Sequence, residues 1–212
     1  MNLFWENKLV SAEEMRELDR KTIEEFGLPG ELLMESAGKG VFSYIEKEYP
    51  FVEDAVIFCG KGNNGGDGFV VGRYLLNRGT ELRVYLLGKK QELRGDAKLN
   101  LERFLKLGGE VIEIEKAEDL DQELEQGLCE TDLIIDAIFG TGLDSEIKGV
   151  PKEAILLINA VSRYSGIPVI AIDIPSGVNA STGEVMGDAI KASATITLGL
   201  AKIGHFTFPG AD

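Results

Sequence analysis

From residue 55 onward the sequence alternates between short unbroken apolar runs and stretches of helical periodicity, and this alternation constrains the fold most. Ala55 to Cys59, Leu82 to Leu87, Glu110 to Ile114, Leu133 to Ile135, Val169 to Ile172 and Thr195 to Leu198 read as strands. Ala55 to Cys59 is apolar without interruption, as a strand covered on both faces must be. Between the strands, Phe69 to Asn77, Ala97 to Leu107, Leu120 to Leu128 and Pro151 to Tyr164 read as helices, the last with proline near its first turn. Strand–helix repetition of this kind specifies right-handed crossovers and a doubly wound, mainly parallel α/β sheet.

Two helices are expected ahead of that core, as an N-terminal helical extension. Ser11 followed by Glu14 is a capping-box pattern, with Met15, Leu18, Thr22, Ile23 and Phe26 as its buried stripe and Gly27 as its stop. Pro29 opens a second helix whose stripe is Leu32, Leu33, Ala37, Val41, Tyr44 and Ile45. No repeat or linker divides the chain, so its 212 residues read as one domain over 1–212. The strand-like stretch leads straight into Pro209-Gly210-Ala211-Asp212 with no closing helix, which gives the expectation that the polypeptide is a truncated piece of a longer one.

A net charge of −14 opposes binding to any phosphate backbone, so nucleic acid is excluded as a partner class. Ten of the acids fall between Glu110 and Asp132 against one lysine, Lys116, and read as a solvated face. No apolar stretch approaches the roughly 18 residues that a membrane span requires, and Met1 to Val10 does not read as a secretory signal. Two cysteines, Cys59 and Cys129, and one histidine, His205, offer neither a disulfide framework nor a zinc site, so a cytoplasmic location is expected.

In a parallel sheet, the loops that follow the strands emerge at one carboxyl edge, where ligands bind. Three such segments are rich in Gly, Asn, Asp and Ser: Gly60 to Gly68, Asp136 to Leu143, and Asp173 to Gly177. Together they bring three carboxylates, Asp67, Asp136 and Asp173, to one crevice with the oxygen-bearing neighbours Asn64, Thr141 and Ser176. Such a set suits a hard cation and no soft one. Gly60, Gly62 and Gly65 form a G-x-G-x-x-G, but Asp67 would repel a pyrophosphate there. Gly88, Lys89 and Lys90 stand where an ordinary dinucleotide fold places a ribose-binding acid. The plainer alternatives make Asp67 a helix N-cap, Asp136 a turn-former or partner of the Gly140–Gly142 backbone, and Asp173 a brace for the Pro175–Gly177 turn. Singly these compete with function; jointly they fit less well. Lys202 is a candidate edge-lining charge whose default is solvent exposure, and His205 is given a structural reading.

These segments, in this order, resemble the YjeF N-terminal domain family. The resemblance is carried by Glu31 to Gly38, the Asn-Asn-Gly-Gly-Asp-Gly core of Gly60 to Gly68, Asp136 to Gly142, Ile172 to Gly177, and Lys202-Ile203-Gly204 leading to Pro209-Gly210. It implies a three-layer α/β/α Rossmann-like sandwich, a homodimer, and epimerisation of the R and S forms of hydrated NADH or NADPH. It also implies that Asn63, Asn64, Gly65, Gly66, Asp67, the loop Gly140, Thr141, Gly142, Leu143, Asp144, Ser145 and Glu146, and Asp173 contact the substrate. Asn64, Asp136 and Ser176 would hold one K+ per subunit. Asp144-Ser145-Glu146 departs from the arginine expected by resemblance, which bears on that loop's phosphate contacts. Bacterial members are commonly fused to a C-terminal ADP- or ATP-dependent dehydratase, which makes such a domain an expected partner.

The expected chemistry is loss and return of the ring hydroxyl through an iminium, or through a ring-opened aldehyde. Asp173 is the principal acid/base, Asp67 is second, and Asp136 is committed to the cation. The competing readings are a non-catalytic nucleotide-binding or scaffold module of the same fold and an ordinary NAD(P) oxidoreductase. The latter is weakened by Asp67 and by the lack of a Tyr-x-x-x-Lys pair.

Overall fold

The apolar runs pair into a six-stranded sheet, all parallel. The computed structural model describes residues 8–120 and 127–211. Its strands are β1 (Leu9–Val10), β2 (Asp54–Cys59), β3 (Glu81–Leu87), β4 (Val111–Ile114), β5 (Leu133–Ala137), β6 (Val169–Ile172), β7 (Ala194–Ile196) and β8 (Ala201–Lys202). The helices with described bounds are α1 (Ala12–Glu24), α2 (Gly30–Glu48), α3 (Asn63–Arg78), α4 (Gly95–Lys106) and α5 (Val150–Ser165). The sheet order is β4-β3-β2-β5-β6-β7, while β1 and β8 make a separate parallel pair that joins the start of the described chain to its end.

Alternating side chains of the strands build two cores. Ala55, Ile57 and Cys59 of β2 face one way and pack with residues of α2, α3 and α4, among them Ile45, Phe69, Leu75 and Phe104. Val56 and Phe58 face the other way, toward Ala154, Ile155, Ile158 and Val161 of α5. Each fully buried aliphatic or aromatic side chain contributes about 1.5–3 kcal/mol. The three-layer α/β/α arrangement expected from the sequence is the fold observed.

The elements differ from the sequence expectation in ways that matter for the site. α3 begins at Asn63, not at Phe69, so the Asn-Asn-Gly-Gly-Asp-Gly segment is its first two turns rather than a loop. Glycine disfavours helix by about 1 kcal/mol relative to alanine, and the segment is helical because it is wedged between other elements. A Cβ on Gly65 would stand 1.9 Å from the Gly60 carbonyl oxygen, and one on Gly38 of α2 would stand 2.4 Å from Val70 Cγ1. β5 runs on to Ala137, which places Asp136 inside a strand. The strand expected over Thr195 to Leu198 is shorter and starts at Ala194, and β8 follows it. β1 precedes both N-terminal helices, so the extension is not purely helical.

The capping box of α1 forms, with Glu14 N donating to Ser11 Oγ and Ser11 N to Glu14 Oε2. Of its expected stripe only Met15 is buried, whereas Leu18, Ile23 and Phe26 are exposed, Phe26 at 85%. On α2 the buried line is Met34, Gly38, Val41 and Ile45, with Leu32 exposed. The helix expected over Leu120 to Leu128 falls largely on 121–126, outside the described residues. Among the described residues no helix is long and apolar enough to cross a membrane.

Candidate active site

β2 neighbours β3 on one side and β5 on the other, so the chain reverses its winding at the carboxyl ends of β2 and β5, and a crevice opens there. The Gly60 N–H donates to the Ala137 carbonyl at 2.9 Å and ties the two strand ends together. Gly62 is the N-cap of α3 and contributes no side-chain bond, so no side chain caps the first N–H groups of a helix that starts at this edge of the sheet. Asp67 is therefore not an N-cap. It lies one turn in, only 7% exposed.

Two of the predicted residues, Asp136 and Ser176, are joined in a buried oxygen cluster, and a third, Asn64, is buried nearby at Gly140. Asp136, fully buried, accepts from Ser176 N at 2.8 Å, Ser176 Oγ at 2.6 Å and Ile138 N at 3.2 Å. Burial pushes its carboxyl up to about 6, against the opposing pull of those bonds. Ser176 Oγ also accepts from Phe139 N at 2.8 Å. The bond from Ile138 fits the turn-former reading of Asp136, but its other two bonds go to the third loop rather than to the Gly140–Gly142 backbone. Asn64 is 7% exposed, and neither its Oδ1 nor its Nδ2 has a partner.

Asp173 adjoins this cluster. A Cβ built on Gly140 would lie 3.1 Å from Asp173 Oδ2 and 3.4 Å from Asn64 Oδ1, so the three loops meet at that glycine. Asp173 has φ +71°, the one positive value outside glycine among the described residues. Its N–H donates to the Ile196 carbonyl at 2.8 Å, and Oδ1 accepts from Leu198 N at 3.3 Å and from the Lys202 ammonium. The carboxylate does not brace the Pro175–Gly177 turn. Lys202, expected in solvent, is 1% exposed and also donates to Thr197 Oγ1 at 3.1 Å and the Leu198 carbonyl at 2.5 Å. Burial, then the charges of Asp173 and Asp19, raise Asp67 well above the usual carboxylate range, with Lys202 opposing them. Asp19, on α1 and exposed to solvent, is raised by partial desolvation and by Asp173, with Lys202 opposing them. Sequence reasoning missed both Asp19 and the burial of Lys202.

The remaining predicted contacts sit at the rim. Asn63 is exposed at the start of α3, and Gly140 to Leu143 form a turn closed by Leu143 N donating to the Gly140 carbonyl at 3.3 Å. Asp144, Ser145 and Glu146 are exposed, and Glu146 pairs with Lys148 at 3.0 Å. Arg16 of α1 reaches the Thr141 carbonyl at 3.4 Å and so brings a cation to this loop. A separate groove of about 650 Å³ runs beside β7, lined by Lys191, Thr195, Thr197 and His205 among others. It contains none of the three carboxylates.

The sequence profile described as "YjeF-related protein N-terminus" matches residues 30–204. This chain belongs to that family. Among its YjeF-related relatives, the NAD(P)H-hydrate epimerase of Limosilactobacillus reuteri is 36% identical over 207 residues, covering 97% of this chain and 91% of that one. The bifunctional NAD(P)H-hydrate repair enzyme of Moorella thermoacetica is 43% identical over 207 residues, and this chain spans 38% of its length. The crystal structure of yeast ynu0, YNL200c, superposes with a TM-score of 0.82 at 25% identity, covering 94% of this chain and 83% of that one. The YjeF-related match spans all three crevice segments and ends just beyond Lys202.

Proposed function

We propose that this chain interconverts the R and S forms of hydrated NADH and NADPH. The observation that carries the reading is a pair of neighbouring buried carboxyls in opposite electrostatic settings. Asp67 is raised by burial and by like charge, while Asp173 is ion-paired with the buried Lys202. Such a division supplies an acid and a base at one pH. The Asp67 carboxylic acid protonates the ring hydroxyl, which leaves as water while the ring nitrogen lone pair forms the C=N bond. Water then adds to the opposite face and gives up a proton to the Asp173 carboxylate. One proton leaves Asp67 and one enters Asp173, so a proton returns between them before the next turnover. The negative cluster also favours the cationic intermediate, and the uncapped N–H groups at the start of α3 suit the dinucleotide phosphates.

A potassium ion fits the oxygen cluster. Asn64 presents an unpartnered buried amide beside Gly140, and Asp136 and Ser176 complete an all-oxygen set. Among the described residues no group of three His, Cys, Asp or Glu side chains is placed to hold a metal ion, so any cation here would rest on Asp136 with the neutral oxygens of Asn64 and Ser176. When bound, the ion supplies positive charge that orients the site and limits its negative pile-up. A hundredfold excess of K+ over its Kd should stabilise the fold by about 2–3 kcal/mol, raising Tm by roughly 5–10 °C over matched Li+. Asn64→Ala should erase that difference, and equal melting of the unaltered protein in both salts would remove the cation from the proposal.

The exposed Leu18, Ile23 and Phe26 of α1 and Leu32 of α2 support a homodimer formed through the N-terminal helices. Sedimentation at micromolar concentration should report twice the 23.1 kDa chain mass; a monomer would refute the pairing. The activity is tested with mixed R and S hydrated NADH and a dehydratase that consumes the S form alone. Acceleration of the slow phase by this protein supports epimerisation. Binding of hydrate without acceleration supports a non-catalytic module instead.

A further inference from the structure

Asp173 has a left-handed backbone, a conformation that Asp visits more readily than most residues, and the turn is closed across it by the Ile174 N–H donating to the Ile172 carbonyl at 2.9 Å. The chain's one histidine adds a further contact, at the carbonyl of Asp173 itself. His205 lies half-buried in the turn after β8, with Nε2 at 2.8 Å from the Asp173 carbonyl oxygen. Its Nδ1 accepts from the Lys202 N–H at 3.1 Å. An acceptor at Nδ1 places the proton of the neutral ring on Nε2, which then donates to Asp173. We propose that His205 is a positioning residue, clipping the main chain of Asp173 to the turn that carries Lys202 and so fixing the carboxylate and its ammonium partner together. The proposal rests on the epimerase reading for its catalytic consequence but not for the clip itself.

A second proton on the ring would set an Nδ1–H against the Lys202 N–H, two donors face to face, and the clip would open. Burial lowers the affinity of His205 for that proton, the Lys202 charge lowers it further, and the bond to Asp173 and the Asp173 charge oppose them. The charged groups facing the ring are Asp173 from the end of β6 and Lys202 from β8; Asp188 and Lys191 line the same groove. The Phe206 ring stands edge-on to the imidazole at 6.3 Å between centroids.

Because no other histidine is present, 15N-histidine labelling gives one ring to read. Near neutral pH its nitrogen shifts should report the Nε2–H tautomer; an Nδ1–H tautomer or an imidazolium would overturn the clip whether or not the protein turns over hydrate. In the active protein, His205→Ala should lower kcat by about 10- to 100-fold, with KM changed less than about twofold. His205→Gln, whose amide can donate to a carbonyl as the Nε2–H does, should recover most of that loss and lack the acid limb that ring protonation should give the unaltered protein. A folded His205→Ala protein with unchanged kcat and pH profile, differing only in Tm, would reduce His205 to a structural residue. Should the unaltered protein fail to turn over, the epimerase reading falls. The tautomer and the displacement of the Asp173 carboxyl 13C resonance in His205→Ala then decide the clip alone.

Discussion

Asp173→Asn is expected to lower kcat for hydrate epimerisation by about 10²–10⁴-fold, the usual contribution of a positioned proton-transfer group. Asparagine is the informative replacement because it tolerates the left-handed backbone that Asp173 adopts. It cannot, however, neutralise Lys202, which is 1% exposed and whose other partners are Thr197 Oγ1 and the Leu198 carbonyl. An uncompensated buried charge costs about 3–5 kcal/mol, so the single variant should melt well below the unaltered protein. Asp173→Asn combined with Lys202→Met removes the stranded charge and should recover most of the lost Tm while turnover stays as low as in the single variant. This combination separates chemistry from folding. If the double variant regains stability and also turns over hydrate at the original rate, Asp173 is not the base.

How much of this was legible beforehand follows from what each residue depends on. The core strands β2 and β6 could be bounded to within a residue because burial on both faces writes an unbroken apolar run into the sequence, and β3 almost as closely despite Arg83. The convergence of the three carboxylates was likewise legible, since parallel topology alone puts their segments at one edge. The start of α3 was not: Asn63 to Gly68 has the composition of a loop, and it is helical because α2, β2 and β5 press on it from outside the segment. Lys202 was misread for a related reason. Its burial depends on β8 pairing with β1, which joins Ala201 to Leu9, and no local pattern near residue 202 records that. Asp19 is an exposed residue of α1, and its coupling to Asp173 and Lys202 had no apolar periodicity to announce it. The residues that sequence reasoning missed are those placed by the two ends of the chain meeting.

Asp67→Asn should lower turnover and raise stability together, and the pH dependence of the second effect identifies its cause. The folded chain holds the Asp67 proton to higher pH than the unfolded chain, because burial and the nearby Asp173 and Asp19 charges disfavour the carboxylate. The unfolded carboxyl releases its proton near pH 4. Between that point and the folded value, the unfolded chain binds fewer protons than the folded one, so the Asp67 contribution to stability falls as pH rises. Asparagine does not titrate and carries no such loss. The variant and the unaltered protein should therefore melt together near pH 4, with the variant gaining as pH increases; each kcal/mol gained is about 2–4 °C of Tm. Activity follows the same proton with the opposite consequence. If Asp67 protonates the leaving hydroxyl, kcat falls on the alkaline side as the acid form is lost, and Asp67→Asn is slow at every pH. A variant whose advantage over the unaltered protein is no larger at pH 8 than at pH 4 would mean that Asp67 titrates in the folded chain as it does in the unfolded one. The acid that protonates the leaving hydroxyl would then have to be sought elsewhere.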